Sequence, residues 1–471
     1  MVPAMAREAM AITPPRNDTE LWTWLKRVTG YKFSREASCP DHDAPFQWMA
    51  DVYFGREPRV AVMGSRGSGK TQGSACLHWA SGATTPKTTI AHFGGTMQQA
   101  LQCQAYVKII SAREGLASIL DGEPQTEKTK WQNGALLSIH TATEKQASGG
   151  HPHRKQADEF DLWDWPVYQK FLGMGVGEDT QTIYTSTRSR KYGLMYNLMK
   201  DADKKGIHVY RYCVWDVKAE CVDCLKSKCE LWEHCQGKHQ HSQGHIPRAT
   251  IVDKALQMDT QTMRTELFCE EPSASGMCWP MFDPIPREGS NVTVAAEYRP
   301  DWPVFWGCDD NYEQPACIGL WQEDPNTGFL HLFDEYYRPH RMAAERVEDI
   351  YGDTTRYPYA HPEFAIPDAT AAELAGALQR AGIPTFSPKS YKRSEGVKVT
   401  ARWIRDGRGV RMLLIHPRCT NIIRSMGAHH LKEMPAGPDG VAMFSDEPEK
   451  HSDDHGSDMV SYVAWVKRHG G

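Results

Sequence analysis

At 471 residues the chain exceeds one ordinary hydrophobic core, which predicts two or three domains. With 40% hydrophobic and 24% charged residues the composition is globular, and no apolar run approaches the ~20 residues that span a bilayer. A net charge of −5 excludes a globally basic nucleic-acid binder, so nucleic-acid contact would need local patches.

Met1 to Asp18 lacks a continuous apolar stretch, so no signal peptide is expected. The thirteen cysteines are odd in number and mostly scattered, which points to reduced thiols in a cytosol. Residues 1–45, with Pro14-Pro15 and Cys39-Pro40, read as an extension or lid rather than core, carrying one helical patch near Leu21 to Val28. Phe46 to Phe54 reads as a helix. Within it, Gln47 stands where many motor ATPases place an adenine-reading glutamine; a surface glutamine is the alternative.

The strongest signal follows. Val60-Ala61-Val62-Met63 is a strand-like run that enters Gly64-Ser65-Arg66-Gly67-Ser68-Gly69-Lys70-Thr71 and leaves into a helix. This is G-x-x-x-x-G-K-[ST] with the flanks that a P-loop requires. Glycines let the backbone wrap a phosphate, and the helix N-terminus favours the anion. Lys70 would reach the β- and γ-phosphates of ATP, and the Thr71 hydroxyl would hold Mg²⁺.

Thr88 to Phe93 reads as a strand, Met97 to Ile110 as a helix and Gly134 to His140 as a strand, an alternation that predicts a parallel α/β sheet. Arg154-Lys155-Gln156-Ala157-Asp158-Glu159 is an unusually polar strand that ends in Asp-Glu. In a P-loop ATPase, Asp158 would assist Mg²⁺ and Glu159 would orient or deprotonate the attacking water. Thr182 to Arg188 is a strand entering the turn Thr185-Ser186-Thr187, which would sense the γ-phosphate and couple hydrolysis to movement, or is an ordinary strand end.

Cys221, Cys224, Cys229 and Cys235 have the spacing C-x₂-C-x₄-C-x₅-C. Four thiols within fifteen residues fit a structural Zn²⁺, or an Fe–S cluster held by the same ligands. His234, His239, His241 and His245 could replace one cysteine.

The C-terminal half opens with a hairpin, Val304 to Asp309 and Pro315 to Trp321, and a third strand from Leu330 to Tyr337 that carries Glu335. Phe364 to Asp368 is a further strand ending in a carboxylate, followed by a helix from Ala371 to Ala381. His451 to Asp458 then precedes an apolar helix from Met459 to Val466. Asp309, Asp368 and the Asp454/Asp458 pair, with His455 between them, supply hard oxygen ligands on separate elements. A two-metal nuclease using Mg²⁺ or Mn²⁺ needs such a set. Asp454 and Asp458, at i and i+4, share a helix face, and which of them is the metal ligand stays open. From Phe386 to Arg424 ten Lys/Arg face two acidic residues, with Tyr391 and Trp403 interleaved. Arg393, Arg405, Arg408 and Arg418 are among them. Such a run points to sequence-independent phosphate contact along DNA.

The Arg-containing P-loop, Ala157-Asp158-Glu159, Thr185-Ser186-Thr187, and the ordered Asp309, Asp368 and Asp454-His455-Gly456-Ser457-Asp458 together resemble the large terminase subunit of tailed bacteriophages, over about 46–466. The family usually has Gly where Asn311 stands. The resemblance implies an α/β chain: an ASCE-like P-loop ATPase followed by an RNase H-like nuclease. The expected layout is an extension at 1–45, the ATPase at 46–212, a Cys-rich linker at 213–298 and the nuclease at 299–471. It implies ATP-driven packaging of double-stranded DNA, endonucleolytic cutting, and a place in the host bacterial cytoplasm. The implied partners are a small terminase subunit, a portal protein and like subunits in a pentameric ring, and no membrane. Arg66 would contact phosphates in cis, or an arginine finger would come from a neighbour. A helicase or recombination ATPase without nuclease activity, and a zinc-containing DNA-binding adaptor, are the alternative classes.

Overall fold

The computed structural model describes residues 4–148, 150–175, 180–187, 193–222, 224–238, 242–270, 276–435, 443–450 and 454–469. They form two compact units. One runs to Ile251 and takes in the stretch opening at Arg264. The other holds Val252–Met263 and the rest of the chain.

In the first unit, strands β1 (Arg59–Gly64), β2 (Thr89–Gly94), β3 (Lys128–Lys130), β4 (Leu136–Thr141), β5 (Arg154–Asp158), β6 (Gln181–Ser186) and β7 (His208–Tyr212) form one sheet. Their order is β3-β4-β2-β5-β6-β1-β7. The pairs are parallel except β3 with β4. One strand, β6, stands between β1 and β5, which is the ASCE arrangement of a P-loop NTPase. Val60 to Met63 are apolar and buried, as a strand covered on both faces requires. The helix Lys70–Thr84 behind β1 is buried over nearly its whole length.

Two sequence expectations change here. Residues 1–45 contribute to the core: Leu21, Trp24, Leu25, Val28 and Phe33 join the same buried cluster as Trp79 and Val62. Trp24 lies 5.9 Å from Trp79, which in turn meets Trp131 edge-on. The polar look of this segment hid a few large aromatics that the helix Lys70–Thr84 needs as cover. The polar strand β5, for its part, is wholly buried. Each long polar side chain has partners: Arg154 donates to Ser81 and Gln181, and Lys155 Nζ donates to the carbonyls of Phe171 (2.7 Å) and Met174 (2.6 Å). Gln156 donates to Ser74 (2.6 Å) and Thr185 (3.1 Å). Buried polar groups are tolerated when satisfied in this way.

The second unit is built on β8 (Val304–Asp309), β9 (Ala316–Glu323), β10 (Leu330–Arg338), β11 (Phe364–Pro367) and β12 (Leu413–Ile415), ordered β11-β8-β9-β10-β12. β9 runs antiparallel to β8 and β10; β11 is parallel to β8, and β12 to β10. This is the mixed sheet of an RNase H-like α/β layer. The helix His455–His469 lies on it because two glycines leave room. A Cβ on Gly307 would come within 2.4 Å of Val463 Cγ2, and one on Gly319 within 2.7 Å of Met459 Cε. Gly456 is likewise needed, since its Cβ would meet Ser425 Cβ at 2.9 Å and Ile422 Cα at 3.0 Å. These close approaches seat the start of the helix beside the end of β8.

Candidate functional site

The P-loop connects β1 to the helix Lys70–Thr84. Gly67 and Gly69 take φ of 75° and 86°, left-handed values that cost a Cβ-bearing residue. Lys70 Nζ folds back on the loop, donating to Gly64 O (2.8 Å), Ser65 O (3.0 Å) and Thr187 Oγ1 (2.8 Å). Burial pushes the Lys70 ammonium's pKa down, against the pull of Glu159, Cys269 and Asp158. An anion in the loop would reverse that cost. The Ser65 hydroxyl is buried without a hydrogen-bond partner. The Ser68 hydroxyl, which lines the cavity below, is likewise buried without a partner, so the loop fits a phosphate: it offers two orphaned hydroxyls beside the Lys70 ammonium.

Asp158, at the end of β5, receives Thr71 Oγ1 on Oδ2 (2.9 Å) and Thr185 Oγ1 on Oδ1 (2.6 Å). Thr71 and Asp158 are thus positioned to share a Mg²⁺. Glu159 follows with φ 50°, a strained value for a non-glycine. Burial raises the Glu159 pKa, opposed by Lys70. A cavity of about 460 Å³ gathers Arg66, Gly67, Ser68, Gly69, Lys70, Thr71, Asp158, Glu159 and Thr187. Ser186 does not line it; its hydroxyl accepts from Asp161 N (3.1 Å). Arg66 is paired with Glu266 (2.9 Å) at the rim. Gln47 is not among the lining residues and donates to Asp51 (3.0 Å). Gln99, Tyr106 and His245 do line the cavity, and no local motif marks them.

In the second unit, Asp309 ends β8, and Asp368 follows β11, donating its amide to Cys308 O (3.0 Å). The parallel register, Pro367 beside Cys308, sets the two carboxylates at neighbouring strand ends. Asp368 also accepts from Thr370 N and Oγ1. Asp309 Oδ2 lies 2.6 Å from His455 Nδ1, and His455 Nε2 lies 2.6 Å from Gln314 Oε1. Arg393 Nη2 donates to Asp454 Oδ2 and to Asp458 Oδ2, each at 2.7 Å. Burial raises the Asp309 pKa, with His455 opposing and Asp368 and Asp454 adding to it. Asp458 is pushed up to about 7, by burial first and then, against Arg393, by Asp309 and Asp454. The hydrogen bond to Asp309 leads in raising His455. Crowded, half-desolvated carboxylates of this kind favour a divalent cation, and the oxygen-rich donor set fits Mg²⁺ or Mn²⁺.

No protein-family model and no curated protein matches the sequence. Solved structures do match. Among the solved structures similar to this chain are bacteriophage large terminases. The large terminase of a thermophilic bacteriophage is 13% identical, with 96% of this chain and 98% of that chain covered and a TM-score of 0.45. The HK97 bacteriophage large terminase is 13% identical over 95% of this chain and 99% of that chain, TM-score 0.39. The large terminase nuclease domain of bacteriophage SPP1, with bound Mn, is 22% identical over 40% of this chain and 97% of that domain, TM-score 0.29.

Where the terminase resemblance anticipated glycine at Asn311, the side chain accepts from Gln314 N (2.9 Å) and closes the turn after β8. That turn aims Gln314 at His455, a contact that spacing alone does not announce. Arg393 corrects a larger expectation. The basic run 386–424 is not one free cationic face: Arg393 serves Asp454 and Asp458, Arg408 pairs with Asp406, and Arg418 donates to Tyr359 (3.0 Å). Glu335 is structural, accepting from Asn421 N and Ile422 N at the start of the helix Thr420–Ala428.

Cys221, Cys224, Cys229 and Cys235 line one small cavity. Lys218 Nζ donates to Cys221 Sγ (2.7 Å) and Arg248 Nη1 to Cys229 Sγ (3.4 Å). Among the described residues, the ligand atoms that converge within 4.8 Å of one another lie elsewhere, on Cys39, His42, Cys213 and Asp216 and on His78, His92 and Cys103. His234 packs on Phe268. His239 and His241, with Arg188 and 451–453, lie outside the described residues.

Proposed function

We propose that this chain is the motor and nuclease of a viral DNA-packaging machine, hydrolysing ATP to translocate double-stranded DNA and cutting concatemers with a divalent-metal nuclease. The observation that carries this reading is the presence in one chain of the Lys70–Thr71–Asp158–Glu159 cradle and the Asp309–Asp368–Asp454–Asp458 cluster. Lys70 holds the phosphates, and Thr71 and Asp158 hold Mg²⁺. Glu159 orients and accepts a proton from the attacking water. Thr185 bonds Asp158 and Thr187 bonds Lys70, which supports a coupling role for 185–187. Arg66, at the rim, would contact the phosphates in cis, or a neighbouring subunit would supply an arginine finger.

In the second unit, Asp309, Asp368, Asp454 and Asp458 would hold Mg²⁺ or Mn²⁺, and such ions lower the pKa of water and stabilise a leaving oxyanion. His455, hydrogen-bonded to Asp309, orients that carboxylate and is placed to move a proton at it. The proposal includes a metal, Zn²⁺ or an Fe–S cluster, at Cys221, Cys224, Cys229 and Cys235, supported by their shared cavity. It includes a linker over 213–298, a small terminase subunit and a portal as partners, a ring assembly, and action in the host cytoplasm. Purified chain should release phosphate from ATP and nick plasmid with Mn²⁺. Lys70→Ala should abolish the first activity and Asp309→Ala the second. An Asp309→Ala protein that nicks like wild type would overturn the nuclease half and leave a translocating ATPase.

A further inference from the structure

Away from both clusters, four side chains of the first unit meet: Cys39, His42, Cys213 and Asp216 each place a ligand atom within 4.8 Å of the other three. Cys39 Sγ lies 3.6 Å from Cys213 Sγ, and His42 Nδ1 lies 2.7 Å from Asp216 Oδ2. They arrive as two short motifs, Cys39-Pro40-Asp41-His42 and Cys213-Val214-Trp215-Asp216. Each presents a thiol and a second donor three residues on. The first motif lies in irregular chain ahead of the helix Gln47–Tyr53; the second opens the short helix Val214–Val217 directly after β7.

The sulfur separation discriminates between two readings. A disulfide needs about 2.05 Å between sulfurs. Two thiolates on a tetrahedral zinc, each at about 2.3 Å from the metal, stand about 3.8 Å apart. The observed 3.6 Å rules out the first; it is the distance of a thiol–thiol hydrogen bond and falls just short of the second. The donor set points to the second: two soft thiols, an imidazole and a carboxylate are the ligand types of a tetrahedral Zn²⁺ site. Asp216 is already held in place. Its Oδ1 accepts from Ser38 N (2.7 Å) and Cys39 N (3.2 Å), and its Oδ2 accepts from Cys213 N (2.7 Å) and faces the cluster. The Asp216 side chain is fully buried, that of His42 is 7% exposed, Cys213 is buried and Cys39 is partly exposed.

We propose that Cys39, His42, Cys213 and Asp216 form a structural Zn²⁺ site that staples the chain ahead of Gln47 to the end of β7. Because β7 pairs with the P-loop strand β1, the staple locks the N-terminal layer against the ATPase sheet. The site is independent of the packaging reading and of the cysteines at 221–235.

Metal counting on the full chain, purified in reductant without chelator and incubated with Zn²⁺, tests it. Cys39→Ser should lose one equivalent of zinc per chain relative to wild type, whatever the 221–235 cluster holds. Since Cys39→Ser could loosen the segment itself, His42→Cys supplies the second test. This variant keeps four ligands, retains the full zinc count and, loaded with Co²⁺, gains the charge-transfer intensity of one additional thiolate. The proposal is overturned if Cys39→Ser retains the wild-type zinc count, if wild type takes up no zinc, or if His42→Cys leaves the cobalt spectrum unchanged.

Discussion

The Thr71 hydroxyl donates to Asp158 across 2.9 Å, joining the first turn of the P-loop helix to the end of the polar strand β5. Neither residue can be moved without the other, and Thr185 fixes the second Asp158 oxygen at 2.6 Å. Asp158→Asn should keep the strand but remove the charge that a Mg²⁺ requires. Phosphate release should fall by about 100-fold or more, as for loss of one electrostatic stabiliser. Malachite-green assay at saturating ATP and Mg²⁺ reads the effect, and wild-type turnover in Asp158→Asn would sink the assignment.

Glu159 is a separate test, because it should act on water rather than on nucleotide. Glu159→Gln preserves size and hydrogen bonding but cannot take a proton. The kcat for ATP should fall by about 100- to 10,000-fold, with nucleotide affinity little changed. Fluorescent-nucleotide titration beside steady-state kinetics separates the two. A variant that loses binding and turnover together would reassign Glu159 to holding the loop.

What was legible in the sequence was local. Gly64 to Thr71 carries its own meaning, since eight consecutive residues make the cradle. Asp309 and Asp368 were readable because each ends an apolar strand. What was hidden depends on partners far along the chain. Lys155 made β5 look wrong for a buried strand, yet its ammonium is bonded to the carbonyls of Phe171 and Met174. Arg393 looked like one more cation in a basic run, but its partners lie 61 and 65 residues on. Cys39 and Cys213, 174 residues apart, form no motif until the fold joins them.

Lys155 therefore gives a pH prediction. Burial lowers its pKa from 10.5 to about 8. Between about pH 8 and 10.5 the unfolded chain holds this proton and the folded chain does not, so its titration favours folding increasingly as pH rises. Lys155→Met lacks this titration. The difference in unfolding free energy between wild type and Lys155→Met should shift toward wild type from pH 8 to pH 10. At pH 7 the variant leaves buried carbonyls unpaired and should be less stable by about 1–3 kcal/mol. Urea melts at the three pH values check both statements, and a pH-independent difference would contradict the lowered pKa.

Trp24 tests whether the N-terminal segment belongs to the core. It is 2% exposed, donates its indole N–H to Met10 O (2.9 Å) and lies against Trp79. Trp24→Ala should cost about 3–5 kcal/mol, the range for removing a buried aromatic. A dispensable lid would lose almost nothing. Denaturant midpoints of the full chain decide between these, provided the transition of the first unit is followed by its own signal.

Arg393 gives the last prediction. Its guanidinium bridges Asp454 and Asp458, and although burial opposes its charge, Asp458 and Asp454 more than offset this and raise its pKa. Two carboxylates that share one cation are carboxylates a divalent ion must win from it. Arg393→Ala removes the competitor and leaves the acids facing one another in a half-buried site. Without divalent ions the variant should be destabilised by roughly 3–5 kcal/mol, the cost of breaking a buried pair. Adding Mn²⁺ should then raise its melting temperature more than it raises that of wild type, because the ion replaces the lost charge and binds the folded state alone. Half-maximal plasmid nicking should also need less Mn²⁺. An Arg393→Ala protein that melts like wild type without metal, or gains no more from Mn²⁺ than wild type does, would show that Arg393 does not compensate the cluster.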